Sequence, residues 1–324
     1  MKHVCIVGYG AIGRVHAEAL DELSEAAIYA ICDTNRERAD QGAGAYQCKV
    51  FYDFAECVCD TQIDSYHICT PHYLHFDMID KCVQAGKMVV VEKPVTMKQE
   101  EFQILLSKYT DKPIYPVMQN RMNKCAKRLK AIVDTDESLG ALRAVKGILT
   151  WHRTAEYYQS AAWRGTKAYE GGGVLINQAI HTLDLMVYLA GDIKSVSATA
   201  SNKSLKGVIE VEDTMDARME FDNGAIGIFY ATNAYGSNSK PQIELEFDNA
   251  TFRYMNGELY RNQELICHDD HQYRGKEYWG SGHGRLFHEL YVNGNGYTIK
   301  DVQDTMEAMF SMYESADNNK EVQL

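Results

Sequence analysis

The feature that most constrains the fold is a glycine-rich loop near the N-terminus, Gly8-Tyr9-Gly10-Ala11-Ile12-Gly13. It follows an apolar run, His3–Val7, and precedes a helical pattern over residues 14–23. In such a loop one glycine makes the tight turn, one lets the backbone approach a pyrophosphate, and one lets the helix pack on the strand. The helix N-terminus adds N–H groups and a partial positive charge for the anion. Because the loop joins a strand to a helix, it predicts dinucleotide binding rather than a simple chain turn.

An acidic residue that follows the second predicted strand indicates which dinucleotide is bound. Asp33 comes directly after the run Ala27–Cys32 and lies 20 residues after Gly13, where a carboxylate accepts the ribose hydroxyls. A carboxylate here repels a 2′-phosphate, so the sequence favours NAD over NADP. Arg36 and Arg38 lie close by in the sequence and soften this preference, which leaves NADP open.

Short apolar runs alternate with longer amphipathic segments over the first 120 residues. Continuous apolar strands separated by crossover helices indicate a parallel sheet that is covered on both faces. Right-handed crossovers make such a sheet doubly wound. We therefore predict an α/β fold that begins with a Rossmann domain over residues 1–120, with strands at His3–Val7, Ala27–Cys32, Ser65–Cys69, Met88–Val91 and Ile114–Met118.

The pattern changes after Arg121 to alternating strands joined by tight turns. Asp222-Asn223-Gly224 lies between two alternating segments, 216–221 and 225–230, which is a strong hairpin signal. Such strands predict a large, mainly antiparallel open sheet and hence a second domain of α+β type over residues 121–324. Within it the sequence predicts helices at 125–133, 173–190 and 302–315 and a strand at 142–151.

Composition and charge exclude several classes of protein. The chain has 324 residues, of which 45% are hydrophobic and 24% charged, with a net charge of −12. A broad nucleic-acid or anionic-membrane surface needs the opposite charge, so we expect neither partner. No apolar run approaches the roughly 18 residues of a membrane span, and the run from Val4 to Val7 is too short for a signal peptide.

The cysteines indicate the compartment. There are nine, and the closest pair, Cys57 and Cys59, lacks the CxxC spacing of redox and zinc motifs. We therefore expect buried, reduced thiols and a cytoplasmic location.

Two predicted strand ends carry candidate residues of the cofactor site, because ligands of open α/β sheets bind beyond the carboxyl ends of the strands. One strand continues into Thr70-Pro71 and then His75, and another into Glu92-Lys93-Pro94. A partly desolvated lysine beside a cationic nicotinamide can exchange a proton with a substrate hydroxyl. The alternative for Lys93 is a surface lysine in a turn. His72 and His75 are expected to line or brace the cofactor cleft.

A polar stripe marks the predicted helix at 173–190. Asn177, His181 and Asp184 fall at i, i+4 and i+7 on an otherwise apolar helix. His181 is therefore either a satisfied core histidine or a proton-transfer group that lines a cleft. The nicotinamide site predicted in the other domain favours proton transfer, for which the pKa of histidine is suited.

Aromatic and arginine side chains lie in the segment 151–165, which includes Tyr157, Trp163 and Arg164. They suit a sugar ring through CH–π stacking and hydrogen bonds, although a structural loop with buried aromatics is the alternative. Arg121 is a weaker substrate candidate. The cluster Cys267-His268-Asp269-Asp270-His271 offers metal-ligand types, but a compact turn rarely presents them tetrahedrally, so we expect no metal site.

Taken together, these residues resemble the glucose–fructose oxidoreductase, inositol dehydrogenase and MocA family over essentially the whole chain. The resemblance rests on the glycine loop, Thr70-Pro71 with His75, Glu92-Lys93-Pro94, Gly171–Gly173 with His181 and Asp184, and the tail Tyr313-Glu314-Ser315 with Glu321-Val322. It implies a dehydrogenase that oxidises or reduces a carbinol carbon of a sugar, sugar derivative or polyol with NAD or NADP. It also implies a homodimer or homotetramer built through the open sheet.

The resemblance also implies roles for individual residues. Lys93 would bind the reacting hydroxyl, and His181 would be the base in oxidation and the acid in reduction. Asn177 and Gln178 would contact the substrate, or Asn177 the nicotinamide amide. Asp184 would orient His181, or else cap or brace the domain. Many members have aspartate at position 177, and asparagine cannot stabilise an imidazolium as aspartate does. Two rival functions remain: a cofactor-binding sensor without turnover, and a reductase of non-sugar carbonyls or imines.

Overall fold

The computed structural model describes residues 1–269 and 281–324, which form two compact units. The first unit comprises residues 1–96, 100–119 and 281–302, and the second comprises 97–99, 120–269 and 303–324. The change of unit at residues 119–120 lies beside the boundary expected from the sequence. Residues 281–302 differ from that expectation, because they pack with the first unit although they follow the second in sequence.

The first unit contains a six-stranded parallel sheet in the order β3-β2-β1-β4-β5-β6. This confirms the predicted doubly wound sheet. β3 was not predicted, because three residues are too few for a recognisable apolar run. The elements are β1 Lys2–Val7, α1 Ala11–Leu20, β2 Ala26–Cys32, α2 Arg36–Tyr46, β3 Lys49–Phe51, α3 Phe54–Val58, β4 Ser65–Ile68, α4 His75–Gln84, β5 Met88–Val91, α5 Gln99–Tyr109 and β6 Ile114–Pro116.

The second unit contains a nine-stranded sheet, mainly antiparallel as predicted, in the order β14-β13-β12-β11-β7-β10-β9-β8-β15. The predicted hairpin is present, with Ile226 opposite Glu220. Among the described strands of this sheet, only β7 and β10 pair in parallel. The elements are α6 Lys124–Thr135, β7 Leu142–Thr150, α7 Ala155–Gln159, α8 Ile180–Ala190, β8 Ile193–Ser201, β9 Thr214–Phe221, β10 Ile226–Thr232, β11 Gln242–Phe247, β12 Thr251–Met255, β13 Glu258–Arg261, β14 Glu264–His268, α10 Gln303–Asn318 and β15 Val322–Gln323.

A further helix, α9 (Gly282–Tyr291), belongs to the first unit. Its buried face includes His283, Leu286 and Phe287, and the ring of Phe287 lies 4.8 Å from that of His16 on α1. Burial of this face explains why the segment returns to the first unit.

The sheet of the second unit has one buried and one open face, because buried and exposed residues alternate along β9 and β10. Helix α8 packs directly on the buried face, since a Cβ at Gly147 of β7 would lie 2.2 Å from the sulfur of Met186. On the other face Ile226, Ile228 and Tyr230 are exposed. The sheet therefore leaves an apolar stripe on its open face.

The chain enters α8 through a π-helical turn, Leu175–Ala179, and not through the single helix expected from 173 onwards. Three glycines precede this turn. A Cβ at Gly172 would lie 2.1 Å from the hydroxyl oxygen of Tyr313, and one at Gly173 would lie 1.9 Å from the carbonyl oxygen of Glu212. Both glycines are therefore required by close packing.

Among residues 1–269 and 281–324, no helix combines the length and the apolar character that crossing a membrane requires.

Gly173→Ala should destabilise the protein, because its Cβ meets a backbone oxygen that cannot turn away. We expect a loss of about 1–3 kcal/mol, the usual cost of overpacking a core, measured by urea unfolding. Gly236→Ala is the control, since a Cβ there meets no described atom within 4 Å. Equal stability of the two variants would contradict this packing argument.

Candidate functional site

The three glycines of the glycine-rich loop Gly8–Gly13 differ in what surrounds them. Gly8 has φ +89°, and a Cβ there would lie 2.8 Å from the carbonyl oxygen of Cys69. A Cβ at Gly13 would lie 2.1 Å from the carbonyl oxygen of Gly8, so this glycine lets α1 pack against the loop. A Cβ at Gly10 would meet no described atom within 4 Å. Gly10 therefore leaves an open cradle at the N-terminus of α1, which Ala11 and Ile12 begin.

Asp33 lies at the end of β2 and is buried. Its carboxylate accepts the backbone N–H groups of Tyr9 and Asn35, each at 2.8 Å, and pairs with Arg38 at 3.1 Å. Arg36 instead stacks on the ring of Tyr52. The open cradle at Gly10 and the carboxylate at the end of β2 fit a dinucleotide, with Asp33 placed on the strand that should reach the ribose.

His75 connects the two loops that carry the other predicted cofactor residues. Its Nε2 lies 2.9 Å from the carbonyl oxygen of Thr70, and its Nδ1 lies 2.8 Å from that of Pro94. Burial lowers the pKa of His75, and a neutral imidazole has one N–H for these two carbonyl acceptors. These contacts favour the bracing role among the two that we expected; a direct contact of Thr70, Pro71 or His75 with the cofactor stays a prediction.

Lys93 follows β5 and is half-buried, unlike the surface lysine of the alternative hypothesis. Its backbone N–H lies 3.3 Å from Oε2 of the preceding Glu92. The Glu92 side chain is buried, and its Oε1 lies 3.0 Å from Nε2 of His16. The described contacts of the Glu92 side chain are therefore with protein groups of the first unit, and its contact with the cofactor stays a prediction.

In the second unit, Asn177 and His181 are both half-buried, whereas most residues around them are buried. Asp184 is fully buried and does not share their position. Asp184 therefore differs in burial from the other two members of the predicted stripe. The π-helical turn contains Asn177 and ends at Ala179, so it changes the angular position of Asn177, whereas His181 and Asp184 keep the spacing of a regular α-helix.

Arg121 binds Asp184 instead of standing open to a substrate. Its Nη2 and Nε donate to the two carboxylate oxygens at 2.6 and 2.9 Å, and Thr305 donates to the same carboxylate at 2.9 Å. Both partners of the ion pair are buried. These contacts favour a structural brace in place of the substrate contact that we expected for Arg121.

Four of the other predicted substrate residues lie together in the second unit. Arg164 donates to the hydroxyl of Tyr157 at 2.6 Å, and its guanidinium lies 4.5 and 4.6 Å from the ring centroids of Tyr157 and Trp163. Gln178 donates to the same hydroxyl at 3.2 Å. The result is a half-buried cluster with aromatic faces and hydrogen-bonding groups, which we call the Arg164 cluster (Tyr157, Trp163, Arg164 and Gln178).

Sequence reasoning missed two polar residues next to this cluster. Glu170 is fully buried and accepts hydrogen bonds from the backbone N–H of Gly165 and from Nδ2 of Asn177. Asn233 donates to Oε1 of Gln178 at 2.9 Å. The signal for Glu170 was its position directly before three glycines, whereas nothing local marks Asn233.

Of the candidate metal-ligand segment Cys267–His271, only the first three residues lie in the described part of the structure. Asp269 is buried and accepts hydrogen bonds from the backbone N–H of Cys125 at 2.8 Å and from the hydroxyl of Tyr254 at 2.7 Å. It therefore holds α6 against the sheet. Asp270 and His271 lie outside the described residues.

Comparison with known families agrees with this geometry. A model of the oxidoreductase family with NAD-binding Rossmann fold matches residues 2–118, and a model of the GFO/IDH/MocA C-terminal domain matches residues 126–253. The chain belongs to the GFO/IDH/MocA oxidoreductase family. The resemblance inferred from the motifs is thereby confirmed, and so is the expectation of an NAD-binding oxidoreductase.

Individual GFO/IDH/MocA relatives are distant. Levoglucosan dehydrogenase of Pseudarthrobacter phenanthrenivorans is 25% identical over 75% of the chain and 70% of the relative. Inositol 2-dehydrogenase of Rhizobium meliloti is 29% identical over 60% of the chain, but over only 57% of its own length. A WlbA dehydrogenase of Bordetella pertussis, crystallised with NADH and UDP-GlcNAcA, has a TM-score of 0.86 at 24% identity and covers 100% of this chain and 98% of its own, a likeness of fold.

Gly10→Ala tests the cofactor cradle without disturbing the fold. Because the added methyl meets no described protein atom within 4 Å, we expect an unchanged melting temperature. We expect NADH to bind at least about tenfold more weakly, because the methyl obstructs the approach of the pyrophosphate to the backbone. Fluorescence titration with NADH measures the affinity.

Gly44→Ala on α2 is the matched control, since its Cβ also meets no described atom within 4 Å. Wild-type NADH affinity in Gly10→Ala would show that the pyrophosphate does not lie at this loop.

Proposed function

We propose that this protein is an NAD-dependent dehydrogenase that transfers a hydride between nicotinamide and a carbinol carbon of a sugar, sugar derivative or polyol. The Arg164 cluster is the observation that supports this substrate class. Its guanidinium lies against two aromatic rings, and its polar atoms are joined to Gln178 through the hydroxyl of Tyr157. Aromatic faces beside fixed hydrogen-bonding groups suit a ring that has CH groups on its faces and hydroxyls on its edge.

The relatives support this substrate class by their names, which include levoglucosan and inositol dehydrogenases. Arginine also suits a carboxylate or phosphate on the substrate, because its planar fork matches both groups. The proposal therefore includes acidic sugar derivatives beside neutral sugars and polyols.

The proposed cofactor contacts lie in the first unit. The glycine loop would receive the pyrophosphate and Asp33 the ribose, and the carboxylate of Asp33 favours NAD over NADP. The pairing of Arg38 with Asp33 keeps that guanidinium on the carboxylate, which supports NAD. Bound NAD supplies the hydride acceptor at its nicotinamide ring.

The proposed proton chemistry uses a lysine and a histidine. Lys93 would bind the reacting hydroxyl, and His181 would take its proton in oxidation and return it in reduction. Asn177 donates to Glu170 through Nδ2, and we assign its Oδ1 to a substrate hydroxyl or to the carboxamide of nicotinamide. Asn177 would therefore orient a ligand and would not transfer a proton.

A homo-oligomer and a cytoplasmic location are part of the same proposal. The exposed apolar stripe Ile226, Ile228 and Tyr230 on the open sheet face supports association with another copy. The nine free cysteines, seven of them buried, support a reducing compartment. We expect a small-molecule substrate as the other partner, without nucleic acid or membrane.

Turnover with NAD⁺ and a panel of pyranoses, glycosides, uronates and inositols tests the activity, measured as NADH formation. Lys93→Ala should lower kcat by about 10²–10⁴-fold, the usual contribution of a group that handles the reacting proton, while NADH binding stays near the wild-type value. His181→Ala should lower kcat and remove one limb of the pH–rate profile.

Lys108→Ala, an exposed position on α5, is the matched control and should retain full activity. Tight NADH binding without turnover of any panel member, in either direction, would contradict the dehydrogenase and favour the sensor. Unchanged kcat in Lys93→Ala would remove that lysine from the mechanism.

Ile228→Lys tests the proposed oligomer. Ile228 is 57% exposed on the open sheet face, and a charge there should dissociate the wild-type dimer or tetramer, because it would be desolvated in the interface. Size-exclusion chromatography with light scattering measures the mass. Val208→Lys, at a position 42% exposed outside the sheet, should leave the mass unchanged; a monomeric wild type would sink the proposal.

A further inference from the structure

The first unit contains a buried polar network that the proposed chemistry does not use. It comprises His16 on α1, Ser65 and His67 on β4, Glu92 after β5, and His283 and Tyr291 on α9, and we call it the Glu92 network. Four of its side chains, the three histidines and the glutamate, are almost fully buried. Buried polar groups are costly unless they are hydrogen-bonded, so an arrangement of this size requires a physical reason.

The members are joined in a continuous chain of short contacts. The hydroxyls of Ser65 and Tyr291 lie 2.8 Å apart, and the Tyr291 hydroxyl lies 2.8 Å from Nε2 of His67. Nδ1 of His67 lies 2.9 Å from Nδ1 of His16, whose Nε2 lies 3.0 Å from Oε1 of Glu92. Three elements of the first unit, α1, β4 and α9, are thus connected to one carboxylate.

The charge state of Glu92 determines the direction of these hydrogen bonds. Burial alone would raise the pKa of Glu92, but the hydrogen bond from His16 and the nearby imidazole of His283 outweigh it and hold the pKa well below its usual range. An ionised carboxylate only accepts hydrogen bonds, so Nε2 of His16 donates to it. Burial lowers the pKa values of His16 and His67, so both rings are neutral.

These charge states determine the tautomers of His16 and His67. A neutral His16 that donates through Nε2 accepts at Nδ1, so His67 donates through its Nδ1 and accepts at Nε2 from Tyr291. Each donated hydrogen in the chain points towards Glu92. His283 adds a second imidazole on the same oxygen, since its Nε2 lies 3.5 Å from Oε1.

The second oxygen of Glu92 connects the network to Lys93. The backbone N–H of Lys93 lies 3.3 Å from Oε2. On the other side of the lysine, the carbonyl oxygen of Pro94 lies 2.8 Å from Nδ1 of His75. The backbone on both sides of Lys93 is therefore held by buried side chains.

We propose that Glu92 is a positioning residue for Lys93, and that His16 and His283 hold its carboxylate in place. His283 comes from the segment after residue 280, so a part of the chain far from the glycine loop completes the anchor. The catalytic consequence rests on the proposed function of Lys93, whereas the anchoring of its backbone does not.

His16, Glu92 and His283 also match the donor set of some zinc sites, and their ligand atoms lie within 4.8 Å of one another. The hydrogen-bonded chain favours the anchoring role, because it already supplies a directed donor to the carboxylate through His16. Metal content is therefore one outcome of the test.

The experiment compares four variants of the full-length protein. His283→Leu removes one imidazole from Glu92, and His283→Gln keeps an N–H donor. Glu92→Gln keeps the size but places an amide N–H₂ against either His16 or the Lys93 backbone N–H, both of which are donors. His288→Leu is the control, because His288 is exposed on the same helix.

Hydrogen exchange of the Lys93 amide reports anchoring without any substrate. We expect exchange about tenfold faster in His283→Leu and in Glu92→Gln, the size of one lost hydrogen bond, and wild-type exchange in His288→Leu. Steady-state kinetics should then show a matching loss of kcat with KM and NADH affinity near wild type, and His283→Gln should recover most of it.

The outcomes separate the two proposals. Faster exchange in a protein that turns over no substrate would support the anchor and overturn the dehydrogenase. Turnover with unchanged exchange and kcat in both His283→Leu and Glu92→Gln would do the reverse. If His283→Leu does not fold, Glu92→Gln decides alone. Stoichiometric zinc in the wild type that is lost in His283→Gln would replace the anchor by a metal site.

Discussion

Buried carboxylates that accept backbone N–H groups hold the loops on which the proposed site residues lie. Each of these acids would be unstable in the interior without donors, so the chain around it has one favourable arrangement. In this protein the donors are backbone groups of the functional loops themselves. The pairs are Asp33 with Tyr9 and Asn35, Glu92 with Lys93, Glu170 with Gly165, and Glu212 with Gly173 and Leu175.

The features that could be predicted from the sequence are those that neighbouring residues determine. The glycine loop, the apolar strands and the Asp222-Asn223-Gly224 turn each depend on backbone conformation or on side-chain alternation within a few positions. The Glu92 network, in contrast, depends on residues that are far apart in the sequence. His16 and Glu92 lie 76 positions apart, and His283 follows a whole second unit, so only the folded chain brings them together.

The polar stripe predicted on α8 depends on a helical period that the sequence pattern alone does not determine. It assumed a regular helical period from Asn177 to Asp184, and the π-helical turn breaks that period. Asp184 instead meets Arg121, a residue that sequence reasoning had assigned to substrate. Each residue of this buried ion pair needs the other, because removing either one leaves a buried charge without compensation.

In the proposed function the two units would recognise ligands by different means, and this bears on the choice of substrate. The proposed dinucleotide contacts depend mainly on backbone geometry at Gly8, Gly10 and Gly13, which many sequences around the glycines can provide. The Arg164 cluster depends on side chains, and each of its contacts changes when one residue changes. The Arg164 cluster is therefore where we expect the substrate of this chain to be determined.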